Sequence, residues 1–170
     1  MKPRVLITGT LHPVALEILK KSGKVDVTYL PECAHGEIVK KIAEYQVLVT
    51  RSETKVDRSI MDASANLKVI ARAAVGVSNI DIEYATKKGI LVINTPGKNT
   101  NSAAELTLAL LLSIFRKVPE AQVHVKAGQW ERHRFSGLEL RGKHLGIVGL
   151  GNVGHRVAQF AHGFNMKVSA

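Results

Sequence analysis

The stretch Gly146-Ile-Val-Gly-Leu-Gly-Asn-Val-Gly154 places glycines at 149, 151 and 154, the spacing G-x-G-x-x-G. Between an apolar strand and a helix, that spacing suits a pyrophosphate. Gly149 permits a tight turn, Gly151 lets the backbone approach the diphosphate, and Gly154 lets the helix pack close to the strand. Free amides at the start of the helix then face the phosphates. Both flanks agree with this. Leu145-Gly-Ile-Val148 reads as the strand, and Val153, Val157, Phe160, Ala161 and Phe164 give the next segment an apolar helical face. Met166 to Ala170 reads as a second strand. The expected ligand is a dinucleotide, and an ordinary structural turn is the competing reading. The ribose-binding acid that tells NAD from NADP is expected about 20 positions on, just past Ala170.

A second set of candidates lies at strand ends, because ligands of open α/β sheets bind beyond the carboxyl ends of the strands. Arg51 follows the strand Val47–Thr50 and could clamp an anion through its guanidinium fork, the alternative being a solvated surface arginine. The turn Ala74-Val75-Gly76-Val77 could offer amides to a carboxylate or be a plain loop. Arg72 stands among apolar neighbours, and a structural ion pair is the favoured reading for it. Other chemistries are excluded. Ser52-Glu-Thr-Lys55 fits S-x-x-K without its companion motifs. No G-x-S-x-G or P-loop occurs, and the seven histidines lack metal-ligand spacing. His155 and His162 share a helix face, but two turns put them about 10 Å apart. His124, His133 and His144 are read as structural or surface residues.

These residues need a scaffold, and the first ninety-five supply one. Apolar runs at 4–8, 25–30, 47–50, 67–73 and 90–94 alternate with helical segments at 13–21, 37–45, 58–65 and one capped by Asp81. Near-continuous apolar strands between helices predict a parallel sheet covered on both faces. The fold class is α/β: a flavodoxin-like domain over 1–98, then the start of a Rossmann dinucleotide-binding domain over 99–170. Residues 96–101 are turn-rich and mark the boundary. Ser102-Ala-Ala-Glu105 reads as a capping box opening a helix that is apolar nearly all round and so predicted to be buried. A further helix runs from Pro119 to Gly128.

The 170 residues are 45% hydrophobic and 5% aromatic, so the core must rest on aliphatic side chains. The charge of +10 is scattered, with Lys20, Lys21, Lys40, Lys41, Lys87 and Lys88 near expected helix C-termini. No basic stripe with interleaved aromatics occurs, and no nucleic-acid partner is expected. The longest apolar run is too short to span a bilayer. With Cys33 as the only cysteine and no leader pattern, a cytoplasmic protein is expected.

With these motifs in place, the chain resembles the D-isomer-specific 2-hydroxyacid dehydrogenases, most closely their phosphoglycerate dehydrogenase branch, which serves serine biosynthesis. The likeness is carried by RSETKVD (51–57), GVSNIDIEYATKKGILVINTPGKNTNSAAELTLALLL (76–112), AGQWERHRFSGLELRGKHLGIVGLGNVG (127–154) and FNMKV (164–168). It implies an N-terminal substrate domain, a central NAD domain and a C-terminal tail returning to the first. Arg51 would face the substrate's anionic end. Val75, Gly76 and Val77 would line the cleft, with Asn99 and Ser102 beside it. Val75, Gly149, Gly151, Asn152, Val153 and Gly154 would bind NAD. The substrate would be a small hydroxyacid or oxoacid, with 3-phosphoglycerate and 3-phosphohydroxypyruvate as the expected pair. The full protein would be a homodimer or higher homo-oligomer. Ala74 and Ser78 depart from the glycine and aspartate of many members, and Ser78 thereby loses a helix-capping charge. The family's catalytic arginine, glutamate and histidine have no counterpart here. The chain is therefore expected to be an N-terminal fragment that does not turn over. A non-enzymatic NAD-sensing regulator, of the kind that acts as a corepressor, is the alternative.

Overall fold

The structure, a computed structural model, describes residues 1–170. The chain forms two compact units, Met1–Pro96 and Gly97–Ala170.

In the first unit the elements run β1 (Arg4–Thr8), α1 (Pro13–Lys21), β2 (Asp26–Leu30), α2 (His35–Lys41), β3 (Val47–Thr50), α3 (Arg58–Asp62), β4 (Val69–Arg72), α4 (Ile82–Lys87) and β5 (Leu91–Ile93). All strand pairs are parallel, in the order β2-β1-β3-β4-β5, the flavodoxin-like order. Register puts Leu6, Leu48, Ile70 and Val92 in one row across the sheet. Period-two alternation turns that whole row to one face. It packs on Ile38 of α2, Ile60 and Met61 of α3, and Ala85 of α4. Leu6, Leu48 and Ile70 are fully buried, and burying each stabilises the fold by about 1.5–3 kcal/mol. The paired lysines occupy the last turns of α1 and α2, and Lys87 that of α4, as expected.

The other face is covered less than the apolar strands predict. α1 buries no side chain, and Leu91 and Ile93 remain 59% and 47% exposed. Element ends also differ from the sequence reading. The helix expected to reach residue 45 changes to a 3-10 turn at Ile42–Glu44. α3 stops at Asp62, because Ser64 Oγ accepts from the amides of Asn66 and Leu67 and holds the chain in a turn.

The second unit contains α5 (Thr100–Phe115), α6 (Val118–Lys126), a 3-10 turn at Arg132–Phe135, β6 (His144–Gly146), α7 (Asn152–Gly163) and β7 (Lys167–Ser169). β6 and β7 pair in parallel. Ala104 and Leu108 of α5 meet Val157 of α7, while Ala161 of α7 packs with Leu140 and Met166. Two expectations fail here. α5 begins at Thr100 after Asn99, without a side-chain cap, so Ser102 lies inside the first turn and the 102–105 capping box does not form. Nor is α5 buried all round. Leu106, Leu110 and Ile114 are 59%, 56% and 71% exposed, because α7 covers only the opposite stripe. No helix is long and apolar enough to cross a membrane.

Candidate functional site

In the order 2-1-3-4-5 the topological switch point lies between β1 and β3. Gly9 ends β1 there with φ +80°, and a β-carbon on it would stand 3.2 Å from Arg51 Cβ. A side chain at 9 would be strained in backbone and would push on the arginine. Arg51 is half-buried; one terminal nitrogen donates to the Thr10 carbonyl at 2.7 Å, and Nε has no protein partner. One residue beyond Ala71 on the neighbouring strand stands Arg72, 7% exposed. Its expected ion pair is absent. No carboxylate approaches it, and its one side-chain partner is Ser52 Oγ at 3.1 Å. Arg72 Nε and Nη1 are buried without partners. Register explains this: Thr50 pairs with Arg72, so Arg72 ends β4 beside the 51–54 loop, where its neighbour is Ser52.

Asn79 ties this region together. Its side-chain amide donates to the carbonyls of Arg51 and Thr54. Thr54 Oγ1 lies 3.1 Å from Thr8 Oγ1 in a buried contact. The loops after β1, β3 and β4 are thus joined by polar contacts. No spacing in the sequence selects Asn79, and Arg72, whose favoured reading there is an ion pair, finds Ser52 instead of a carboxylate in the fold.

Val75, Gly76 and Val77 lie in the loop after β4, with Val75 and Gly76 exposed and Val77 half-buried. Asn94 donates to the Val75 carbonyl at 2.7 Å and Thr95 N to the Ala74 carbonyl, which fixes the loop against the end of β5. The loss of a capping charge at Ser78 does not materialise. α4 starts after Asp81, whose carboxylate accepts from Tyr84 N at 3.0 Å.

In the second unit Gly149 has φ +96°, the left-handed turn that its place in the motif requires. A β-carbon on Gly154 would strike the Gly149 carbonyl oxygen and stand 3.3 Å from Ile147 Cγ2. Gly151 has open space around it and precedes α7 directly. Gly151 and Asn152 line a cavity of about 560 Å³ together with Lys98, Thr100, Asn101, His155 and Arg156. Val153 is exposed on the first turn of α7. Asn99 and Ser102 are exposed at the start of α5, where Thr100 and Asn101 are the residues that line the cavity. No spacing in the sequence singles out Lys98, His155 or Arg156.

Another cavity, of about 750 Å³, lies between residues 55–59 and 78–81. Nearby, Ser59, His35 and Asp57 cluster as a hydrolase triad might be drawn, but His35 Nε2 faces both partners, at 3.5 and 3.2 Å. A relay needs opposite ring nitrogens. Asp57 instead caps α3, accepting from Ser59 N and Oγ. The Ser59 hydroxyl, then His35, holds the Asp57 carboxyl below its usual range. Lys88 and Tyr84 do the same for Asp62, and the Tyr84 amide, then Arg58, for Asp81. Depressed carboxyl groups favour the folded state above their unfolded value, about 3.9. That contribution is lost as pH falls through the lower folded values. Thermal unfolding should therefore show acid destabilisation of residues 1–96 beginning below about pH 4. In Asp57→Asn part of that slope should vanish, and an unchanged slope would refute the assignment. His124 is a core residue, accepting from Glu131 N with its ring 4.9 Å from Phe135. No group of acids, histidines and cysteine is arranged to hold a metal.

The chain thus combines a flavodoxin-like parallel sheet, with arginines at the ends of β3 and β4, and a second α/β unit made of a strand, a glycine turn and a helix. The sequence pattern of the D-isomer specific 2-hydroxyacid dehydrogenase catalytic domain matches residues 5–165, and the chain belongs to that family. It is 45% identical to D-3-phosphoglycerate dehydrogenase of Methanocaldococcus jannaschii over 165 residues, 97% of this chain and 31% of the relative. A crystal structure of a Thermus thermophilus protein matches with TM-score 0.89 and 38% identity, over 97% of this chain and 54% of that one. The NAD+-bound 3-phosphoglycerate dehydrogenase of Entamoeba histolytica matches with TM-score 0.78 and 31% identity, over 99% and 53%. The chain thus spans about a third of the length of the curated relatives it matches.

Proposed function

We propose that the chain supplies the substrate-anion cradle and the diphosphate site of an NAD-dependent D-3-phosphoglycerate dehydrogenase. The enzyme would interconvert 3-phosphoglycerate and 3-phosphohydroxypyruvate. The observation that carries this reading is the pair of arginines at the ends of β3 and β4. Between them, three buried guanidinium nitrogens lack a protein partner. Such nitrogens suit a phosphate or carboxylate, whose oxygens accept charge-assisted hydrogen bonds.

Arg51 and Arg72 hold the anionic end of the substrate. Val75, Gly76 and Val77 offer backbone to its carboxylate. Gly149, Gly151, Asn152, Val153 and Gly154 hold the NAD diphosphate, and the open backbone at Gly151 supports that role. Held there, NAD would supply the acceptor for a hydride leaving the hydroxyl-bearing carbon. The exposed row Leu106, Leu110 and Ile114 supports a homo-oligomeric enzyme. The 170 residues alone bind but do not turn over, since they contain no counterpart of the family's arginine, glutamate and histidine.

Calorimetric titration with 3-phosphoglycerate at low salt tests the cradle. Arg51→Gln is expected to weaken binding by about tenfold to a hundredfold, the value of a hydrogen bond to a charged group. Glycerate, which lacks the phosphate, is expected to bind more weakly than 3-phosphoglycerate. Equal affinity of wild type and Arg51→Gln would remove the arginine from the site.

A further inference from the structure

One side chain of the first unit holds both ends of the loop that begins with Arg51. Asn79 Nδ2 donates to the Arg51 carbonyl at 2.9 Å and, with its other proton, to the Thr54 carbonyl. Segment 51–54 is thereby pinned at its first and last residues. The tip of the arginine is held separately, by the bond from Arg51 Nη1 to the Thr10 carbonyl. The partners fix which way the amide points, since Oδ1 in the place of Nδ2 would face two carbonyl oxygens. A primary amide suits this task, because its nitrogen offers two protons in fixed directions on a short arm. Ionised aspartate offers none, and serine or threonine only one.

The surrounding backbone pairs without help from this side chain. Val56 N donates to the Asn79 main-chain carbonyl at 2.8 Å and Asp81 N to the Val56 carbonyl at 3.1 Å, in a parallel bridge of Val56 with Ile80. The buried contact of the Thr54 and Thr8 hydroxyls anchors the far end of the loop. Asn79 Oδ1, moreover, is buried with no protein partner. An orphaned acceptor opposes folding. A half-satisfied amide, set where main-chain pairing stands without it, is accounted for by what its two protons hold.

We propose that Asn79 is a positioning residue for phosphate recognition: it fixes the main chain of Arg51, and with it the direction in which the guanidinium leaves the sheet, without touching the ligand. The proposal rests on the reading of Arg51 as the group that meets the substrate's anionic end. Arg51 Nε is buried and has no protein partner, so its line of approach to an anion is set by where the main chain stands. Without the amide, segment 51–54 is free to shift, and the single bond to Thr10 no longer holds the guanidinium plane in one orientation. Orientation matters because the guanidinium donors form a rigid fork that must match the oxygens it binds.

The test is calorimetric titration of the chain with 3-phosphoglycerate and with glycerate, in wild type, Asn79→Ala, Arg51→Gln and the double variant. Asn79→Ala is expected to weaken 3-phosphoglycerate binding by about tenfold, and by no more than Arg51→Gln does. Glycerate, which has no phosphate, should bind as it does to wild type. In the Arg51→Gln background the alanine change should weaken binding no further, because an absent arginine cannot be misplaced. Asn79→Ser cannot donate one proton to two carbonyls and should behave alike. It replaces the alanine variant if thermal melting shows that variant unfolded at the titration temperature. An asparagine that only supports the fold would weaken both ligands in parallel and add its effect to that of Arg51→Gln. Either result overturns the positioning role, as does wild-type affinity for 3-phosphoglycerate in the Asn79 variants. Equal affinity of wild type and Arg51→Gln is a different outcome: it removes the arginine from the site, and the reading on which the proposal rests fails with it.

Discussion

Arg72→Met should make residues 1–96 more stable while removing most of their affinity for 3-phosphoglycerate. Arg72 is 7% exposed, and two of its nitrogens have no partner. A cation held in that state has lost hydration that one hydrogen bond to Ser52 does not replace. Buried ionic groups exchanged for apolar side chains of similar volume are often stabilised, by about 1–4 kcal/mol. For a unit of this size each kcal/mol raises the midpoint by about 4–8 °C. Ser52 is exposed, so water satisfies its hydroxyl once the arginine is gone. The same change removes two unpaired donors from the strand end, and affinity for the anion should fall by about tenfold or more. Thermal melts and 3-phosphoglycerate titrations of the variant settle the matter together. A fall in both stability and affinity would show Arg72 to be structural, as the sequence first suggested. Stability gained with affinity unchanged would show the arginine to serve neither end.

That opposition between stability and binding marks what was readable in the sequence. The sheet was legible because β1, β3 and β4 are short apolar runs, and register then aligns Leu6, Leu48 and Ile70 on one core face. The glycine turn was legible because each glycine answers a separate geometric need. Arg72 was not, since composition says that a buried arginine needs a partner without saying which partner lies within reach. That depends on Thr50 pairing with Arg72 across two strands. Asn79 was invisible for the same reason: its bonds to the Arg51 and Thr54 carbonyls span loops far apart in sequence. The apolar rows of α5 are identical in kind, and only the position of α7 decides that Ala104 and Leu108 are covered and Leu106 and Leu110 are not. Gly137 gave no signal either. A β-carbon there would strike the Phe115 carbonyl oxygen and lie 2.9 Å from Arg116 Cα, a close approach that no local pattern announces.

The glycine turn provides the sharpest separation of folding from binding. Gly154→Ala should destabilise residues 97–170, although alanine is the better helix former by about 1 kcal/mol. The new methyl group would meet the Gly149 carbonyl oxygen, with Gly149 C at 3.2 Å and Ile147 Cγ2 at 3.3 Å. Two of these are backbone atoms of the turn and cannot rotate away, so relief requires α7 to move off the strand. Overpacking of this kind costs about 3 kcal/mol, which leaves a net loss of about 2 kcal/mol after the propensity gain. Gly151→Ala is the counterpart. Nothing lies within 4 Å of its added carbon, and its φ is −74°, which alanine adopts freely. Its fold should be intact while NAD+ binding is lost, because the methyl group occupies the space the diphosphate needs. Amide hydrogen exchange in β6, α7 and β7 reads the first effect and NAD+ titration the second. Protection unchanged in Gly154→Ala would show that the turn yields more easily than its geometry implies. Undiminished NAD+ binding in Gly151→Ala would place the phosphates away from residue 151.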